Sequence, residues 1–122
     1  MHLRRWESFA LRRLAAAALL AGLGLLSPGA AVAESAKFER ICTGEARASA
    51  EEQIAACSEL IASGRYSRRN LSILYMNRGL SHRAAGDRAR AIEDLDQAIA
   101  IDPGHARAYA TRGHVRYDGR EL

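Results

Sequence analysis

The chain has 122 residues, of which 48% are hydrophobic and 6% aromatic, with 18 Lys and Arg against 14 Asp and Glu for a formal charge of +4. Residues 1–33 hold four arginines and Glu7, so the remainder has 14 basic and 13 acidic groups, a charge of about +1. A basic field that gathers phosphates is therefore excluded from that remainder, and with no zinc-finger or RNA-binding motif, nucleic acid is not an expected partner.

In chain order, Arg4, Arg5, Arg12 and Arg13 form a basic start, Leu14 to Leu26 is apolar or glycine throughout, and Pro28-Gly29 is expected to break any helix. Ala31-Val32-Ala33 then supplies the small residues that a signal peptidase reads. This order predicts a secretory signal peptide over 1–33, cleaved between Ala33 and Glu34. A retained anchor is the competing reading, but the apolar run has 13 residues, short of the roughly 20 that cross a bilayer. The expected location is the bacterial periplasm or the exterior, with no membrane attachment after cleavage. About 89 residues remain, one small domain in which extra staples are expected.

After Glu34 the apolar residues recur at helical spacing and strand signals are nearly absent. A first helix is expected near Lys37 to Arg47. Ser49-Ala50-Glu51-Glu52 is a capping box, opening a helix with Ile54, Cys57, Leu60 and Ile61 on one face. Gly64 can end it in a left-handed conformation. Asn70 is the expected cap of a helix from Leu71 to about Ala85, stopped by Gly86. Asp87 caps the next, from Arg88 to about Ile101, with Ala91, Ile92, Leu95, Ala98 and Ile99 inward. Asp102-Pro103-Gly104 stops it, and a last helix runs from near His105 to about Asp118. Turns of a few residues make neighbouring helices antiparallel.

Cys42 and Cys57 lie seven residues before and eight after Ser49, so two antiparallel helices would set them opposite one another. A disulfide is expected in an oxidising compartment, with two inert buried thiols as the alternative. His82 and His114 occupy different faces, His105 sits at a helix start, and no carboxylate is spaced to complete a metal site with them; solvated or groove-edge positions are expected. Glu93, Asp94 and Asp96 read as a solvated face, with Arg88 and Arg90 near enough for surface pairs. No nucleophile elbow, phosphate loop or paired-acid arrangement is present, and no catalytic residue, cofactor or metal is assigned.

"YMNRG" at 75–79 returns as "YATRG" at 109–113, after 34 residues. Fixed-period self-similarity marks stacked supersecondary units. Over residues 72–105 the pattern Tyr75, Gly79, Gly86, Ala91, Leu95, Ala98 and Pro103 resembles the tetratricopeptide repeat. Arg78 and Arg112 stand where that family commonly has an apolar residue, a variant like that of secreted bacterial repeats. His82 and Arg116 stand where an aromatic is usual. The resemblance implies an all-α fold: antiparallel helix pairs stacked as a short α-solenoid of about five helices behind the cleaved signal. Its parts are a degenerate helix pair over 34–69, a repeat unit over 70–104, and a capping helix over 105–122 that starts an incomplete second repeat. In that last helix Tyr109, Gly113 and Tyr117 are expected to turn inward, leaving Arg112, Arg116 and Arg120 as a charged stripe.

The same resemblance implies a concave face for a peptide or protein partner, lined by Ile73, Met76, Asn77, Leu80, Arg83, Arg107 and Thr111. The function expected is that of an exported protein-interaction module without catalysis. The alternative is a structural subunit whose helices complete the stack of a partner or of a second copy in an oligomer; a remnant of a longer array is a third reading.

Overall fold

The computed structural model describes residues 27–120, and among these every regular element is an α-helix: α1 Pro28–Cys42, α2 Ala50–Ala62, α3 Arg68–Ala84, α4 Arg88–Ile101 and α5 Ala106–Asp118. The chain divides into Met1–Glu34 and Ser35–Leu122. Of the first unit, residues 27–34 are described, and 28–34 form the start of α1. Pro28 opens this helix, contrary to the expected break, because the amide that proline lacks has no intrahelical partner in a first turn. Ser27 accepts from the Ala30 amide at 3.4 Å. Most of the proposed signal peptide lies outside the described residues.

In the second unit α1 ends at Cys42 rather than near Arg47, since Gly44 takes φ +81° and so turns the chain. The capping box of α2 is complete: the Glu52 amide donates to Ser49 Oγ at 3.1 Å and the Ser49 amide to Glu52 Oε2 at 2.7 Å. Gly64 and Gly86 take φ +67° and +82°, and Asp87 Oδ1 accepts from the Arg90 amide at 3.0 Å. Asn70 is not a cap. The Leu71 amide already donates to the Ser67 carbonyl at 2.8 Å, so α3 starts three residues earlier, through two arginines that favour helix.

Two apolar cores share α3. The first gathers Cys42, Ala56, Cys57, Leu60 and Leu74, with Phe38, Ile41, Ile61 and Tyr66 at its edge. The Cys42–Cys57 disulfide crosses it, with the Cα atoms 5.0 Å apart. Closing 15 residues this way stabilises the fold by roughly 3 kcal/mol in the loop-entropy picture. Tyr66 donates to Glu39 at 2.6 Å; burial and then that carboxylate push its phenol above the usual value. The second core gathers Met76, Ala91, Leu95, Ala98, Ala108 and Val115.

The α3–α4 contact is tight at one place. A Cβ on Gly79 would lie 3.1 Å from the Ala91 carbonyl oxygen and 3.2 Å from Leu95 Cγ, so only glycine leaves the backbones this close. Beside it Asp94 is 5% exposed, not the solvated residue its acidic run suggested. Arg78 donates Nε to Asp94 Oδ2 at 2.8 Å and Nη2 to Oδ1 at 2.7 Å, and Nη1 to Ser58 Oγ of α2 at 3.1 Å. The hydrogen bond to Asp94 raises the basicity of Arg78 against the desolvation that lowers it. His82 is buried too, its Nε2 3.7 Å from Asp94 Oδ2, which corrects the expectation of a solvated or groove-edge ring. The Asp94 carboxylate thus faces Arg78 and His82 of α3, and the Arg78 guanidinium reaches α2.

Candidate functional site

α3 and α5 run side by side in the same direction, tied at both ends. At their starts the fully buried Ser72 hydroxyl donates to the Ala98 carbonyl at 2.7 Å and lies 2.7 Å from His105 Nδ1. A hydroxyl has one proton, so a neutral His105 carries its own on Nδ1 and leaves Nε2 as an acceptor. At their ends Arg83 Nη2 meets Asp118 Oδ2 at 2.6 Å.

Between these ties, and bounded on its far side by the α1–α2 corner, lies an open groove of about 490 Å³. α3 supplies Ile73, Met76, Asn77, Leu80 and Ser81; α5 and its cap supply Arg107 and His105; Cys42, Thr43, Gly44 and Gln53 close the other wall. Gln53 is held there by the Ser81 hydroxyl, which donates to its Oε1 at 3.1 Å. Ile73 and His105 also border a second cleft of about 790 Å³, formed by Arg68, Arg69 and the turn Ile101–Ala106. Arg68 is spanned to that turn by a bond from Nη2 to the Ile101 carbonyl at 3.2 Å. The two openings share Ile73 and His105; the groove carries an amide at Asn77 and a cation at Arg107, and the cleft carries cations at Arg68 and Arg69.

Of the residues assigned to the concave face, the structure brings Ile73, Met76, Asn77, Leu80 and Arg107 together. Two lie elsewhere. Arg83 is outside the groove lining, engaged by Asp118. Thr111 is 8% exposed, and its hydroxyl donates back to the Arg107 carbonyl at 2.8 Å; it packs α5 onto the stack. His114 is exposed on α5, away from the other two histidines. Among the described residues no group of three His, Cys, Asp or Glu is placed to hold a metal ion.

Sequence reasoning missed Ser72, Gln53, Asp94 and the α1–α2 corner. For Asp94 a signal existed. An arginine in an apolar repeat position needs a buried acid, and Asp94 lies between Ala91 and Leu95 on the inner face of the following helix. Nothing local in the sequence marks Thr43, Gly44 or Gln53, which reach the groove through the disulfide-held corner.

The tetratricopeptide repeat model matches residues 72–105, which comprise most of α3, its turn and all of α4. The chain carries a tetratricopeptide repeat. Ser72, Gly79, Ala91, Leu95 and Ala98 of that repeat are buried where its two helices meet, and the groove is lined by its first helix. A repeat of this kind suggests a protein-interaction module. No curated protein and no solved structure matches the chain.

Proposed function

We propose that the protein is an exported interaction module that holds an extended peptide segment of a partner in the α3–α5 groove, without catalysis. The observation that carries this reading is the composition of that groove. Over the buried Met76, Ile73 and Leu80 offer side-chain contacts, Asn77 offers both a donor and an acceptor to a peptide backbone, and Arg107 offers charge at the rim. The Ser72–His105 bond holds α3 to α5 and the Ser81–Gln53 bond holds α3 to the opposite wall, so little ordering cost falls on binding. Export is supported by the order of charge, apolar run and small residues before Glu34 and by a disulfide, which an oxidising compartment maintains.

Selection of a displayed random peptide library on the immobilised, disulfide-bonded protein tests this. Enriched peptides should bind the parent and lose at least tenfold in affinity on Asn77→Ala or Arg107→Glu, while Arg90→Ala, on the exposed side of α4, leaves them unchanged. Absence of enrichment, or equal binding to all variants, overturns the groove as the binding site.

A further inference from the structure

Adding 34 to the residues of α3 maps them onto α5, and the map separates two faces. Leu74 and Ser81 face α2; their counterparts Ala108 and Val115 pack into the second core. The other face of α3 meets α4: Ser72, Gly79 and His82 are buried there, and Tyr75 is half-buried. Its counterparts on α5 are Ala106, Gly113, Arg116 and Tyr109, and all four are exposed. Tyr109 is 43% exposed, and a Cβ on Gly113 would meet nothing within 4 Å. Locally the two signatures are the same object, because the Arg78 guanidinium stacks 5.3 Å from the Tyr75 ring and Arg112 stacks 5.5 Å from Tyr109. α5 therefore presents, uncovered among the described residues, the surface that α3 uses to receive a helix.

We infer that this face of α5 is a docking site for an acidic amphipathic helix of a partner protein, one that repeats the α4 order of small residue, carboxylate three positions on and leucine at the fourth. α4 shows what the surface accepts: Ala91 and Leu95 against the glycine, Asp94 on the arginine, and the ring packed on the core that Leu95 belongs to. Charge sharpens the match. At the place of His82, which lies 3.7 Å from the Asp94 carboxylate, α5 has Arg116. An incoming acid would thus lie between two arginines, and the carboxylate that Arg112 already meets, Asp96, has a side chain that is 49% exposed. A second copy is a poor occupant. Its own Ala91 and Leu95 are fully buried, and α5 against α5 would oppose Arg112 and Arg116 with arginines of the same sign. The site is separate from the groove and does not depend on it.

A labelled, hydrocarbon-stapled peptide of residues 88–101, titrated onto the full disulfide-bonded chain and followed by anisotropy, tests the assignment. Saturable binding is expected, weakened at least tenfold by Gly113→Leu in the protein and by Asp94→Asn in the peptide, and unchanged by Arg107→Glu in the groove. Gly113 is exposed, so its substitution leaves the fold intact, which circular dichroism checks. No saturable binding up to about 1 mM peptide overturns the inference. So does undiminished binding to Gly113→Leu, since that is the result if the peptide displaces the chain's own α4 from α3. Self-association of the parent chain that Gly113→Leu abolishes would assign the face to a second copy and overturn the partner helix.

Discussion

α3 and α5 carry one signature in two settings. In "YMNRG" the glycine touches the α4 backbone and the arginine closes on a carboxylate that is 7% exposed. In "YATRG" the glycine faces open space and the arginine pairs with a carboxylate that is 49% exposed. The Arg-on-Tyr stacking is common to both. A local motif thus determines a local conformation, while the energetic weight of each residue comes from what packs against it. The same residue types should therefore differ severalfold in their effect on stability.

The largest separation is expected at the arginines. Arg78→Ala leaves the Asp94 carboxyl buried without its guanidinium partner, and should cost about 3 kcal/mol; Arg112→Ala, with its partner in solvent, should cost less than about 1 kcal/mol. Urea melts of the two variants check this, and equal midpoints would show that burial of Asp94 does not matter. The glycines come next. Gly79→Leu forces the α3 and α4 backbones apart, with an expected cost of about 2 kcal/mol, whereas Gly113→Leu, which meets open space, should stabilise by about 0.7 kcal/mol because leucine favours helix nearly as well as alanine.

A smaller effect tests which side of α5 is docked. Val115 is 1% exposed and Tyr117 68%, so Val115→Ala should destabilise by about 1.5 kcal/mol and Tyr117→Ala hardly at all. The reverse result would turn the helix round. Gly113→Ala gives a small shift of the opposite sign. An exposed helical glycine replaced by alanine should stabilise by about 0.8 kcal/mol, while Gly79→Ala gains nothing because its methyl meets the Ala91 carbonyl.

The outward turn of Tyr109, Gly113 and Tyr117 is the instructive departure from the sequence reading. Burying them assumed that a repeated motif faces the helix before it. In the repeat the tyrosine and glycine face the helix after it, and the preceding helix is met by the positions of Leu74 and Ser81. On α5 those positions are Ala108 and Val115, which are small and aliphatic and do hold the core. Of the groove, the α3 residues were legible from helical spacing and family resemblance, because one helix face is a matter of period. The opposite wall was not, because Gln53, Thr43 and Gly44 reach it through a covalent cross-link and a turn.

The sequence by itself determined five helices to within a few residues, the Ser49 and Asp87 caps, the stops at Gly64 and Gly86 and the repeat unit. Each of these rests on interactions within a few residues or on a fixed period, so near neighbours in the chain suffice to encode it. Tertiary structure decided which charges are buried, which face of α5 is covered and which residues form the groove. Those depend on contacts between helices, such as Arg78 with Asp94 across 16 residues and Ser72 with His105 across 33. Whether an aspartate is solvated or a tyrosine covered is a property of the neighbouring helix, and local sequence does not carry it.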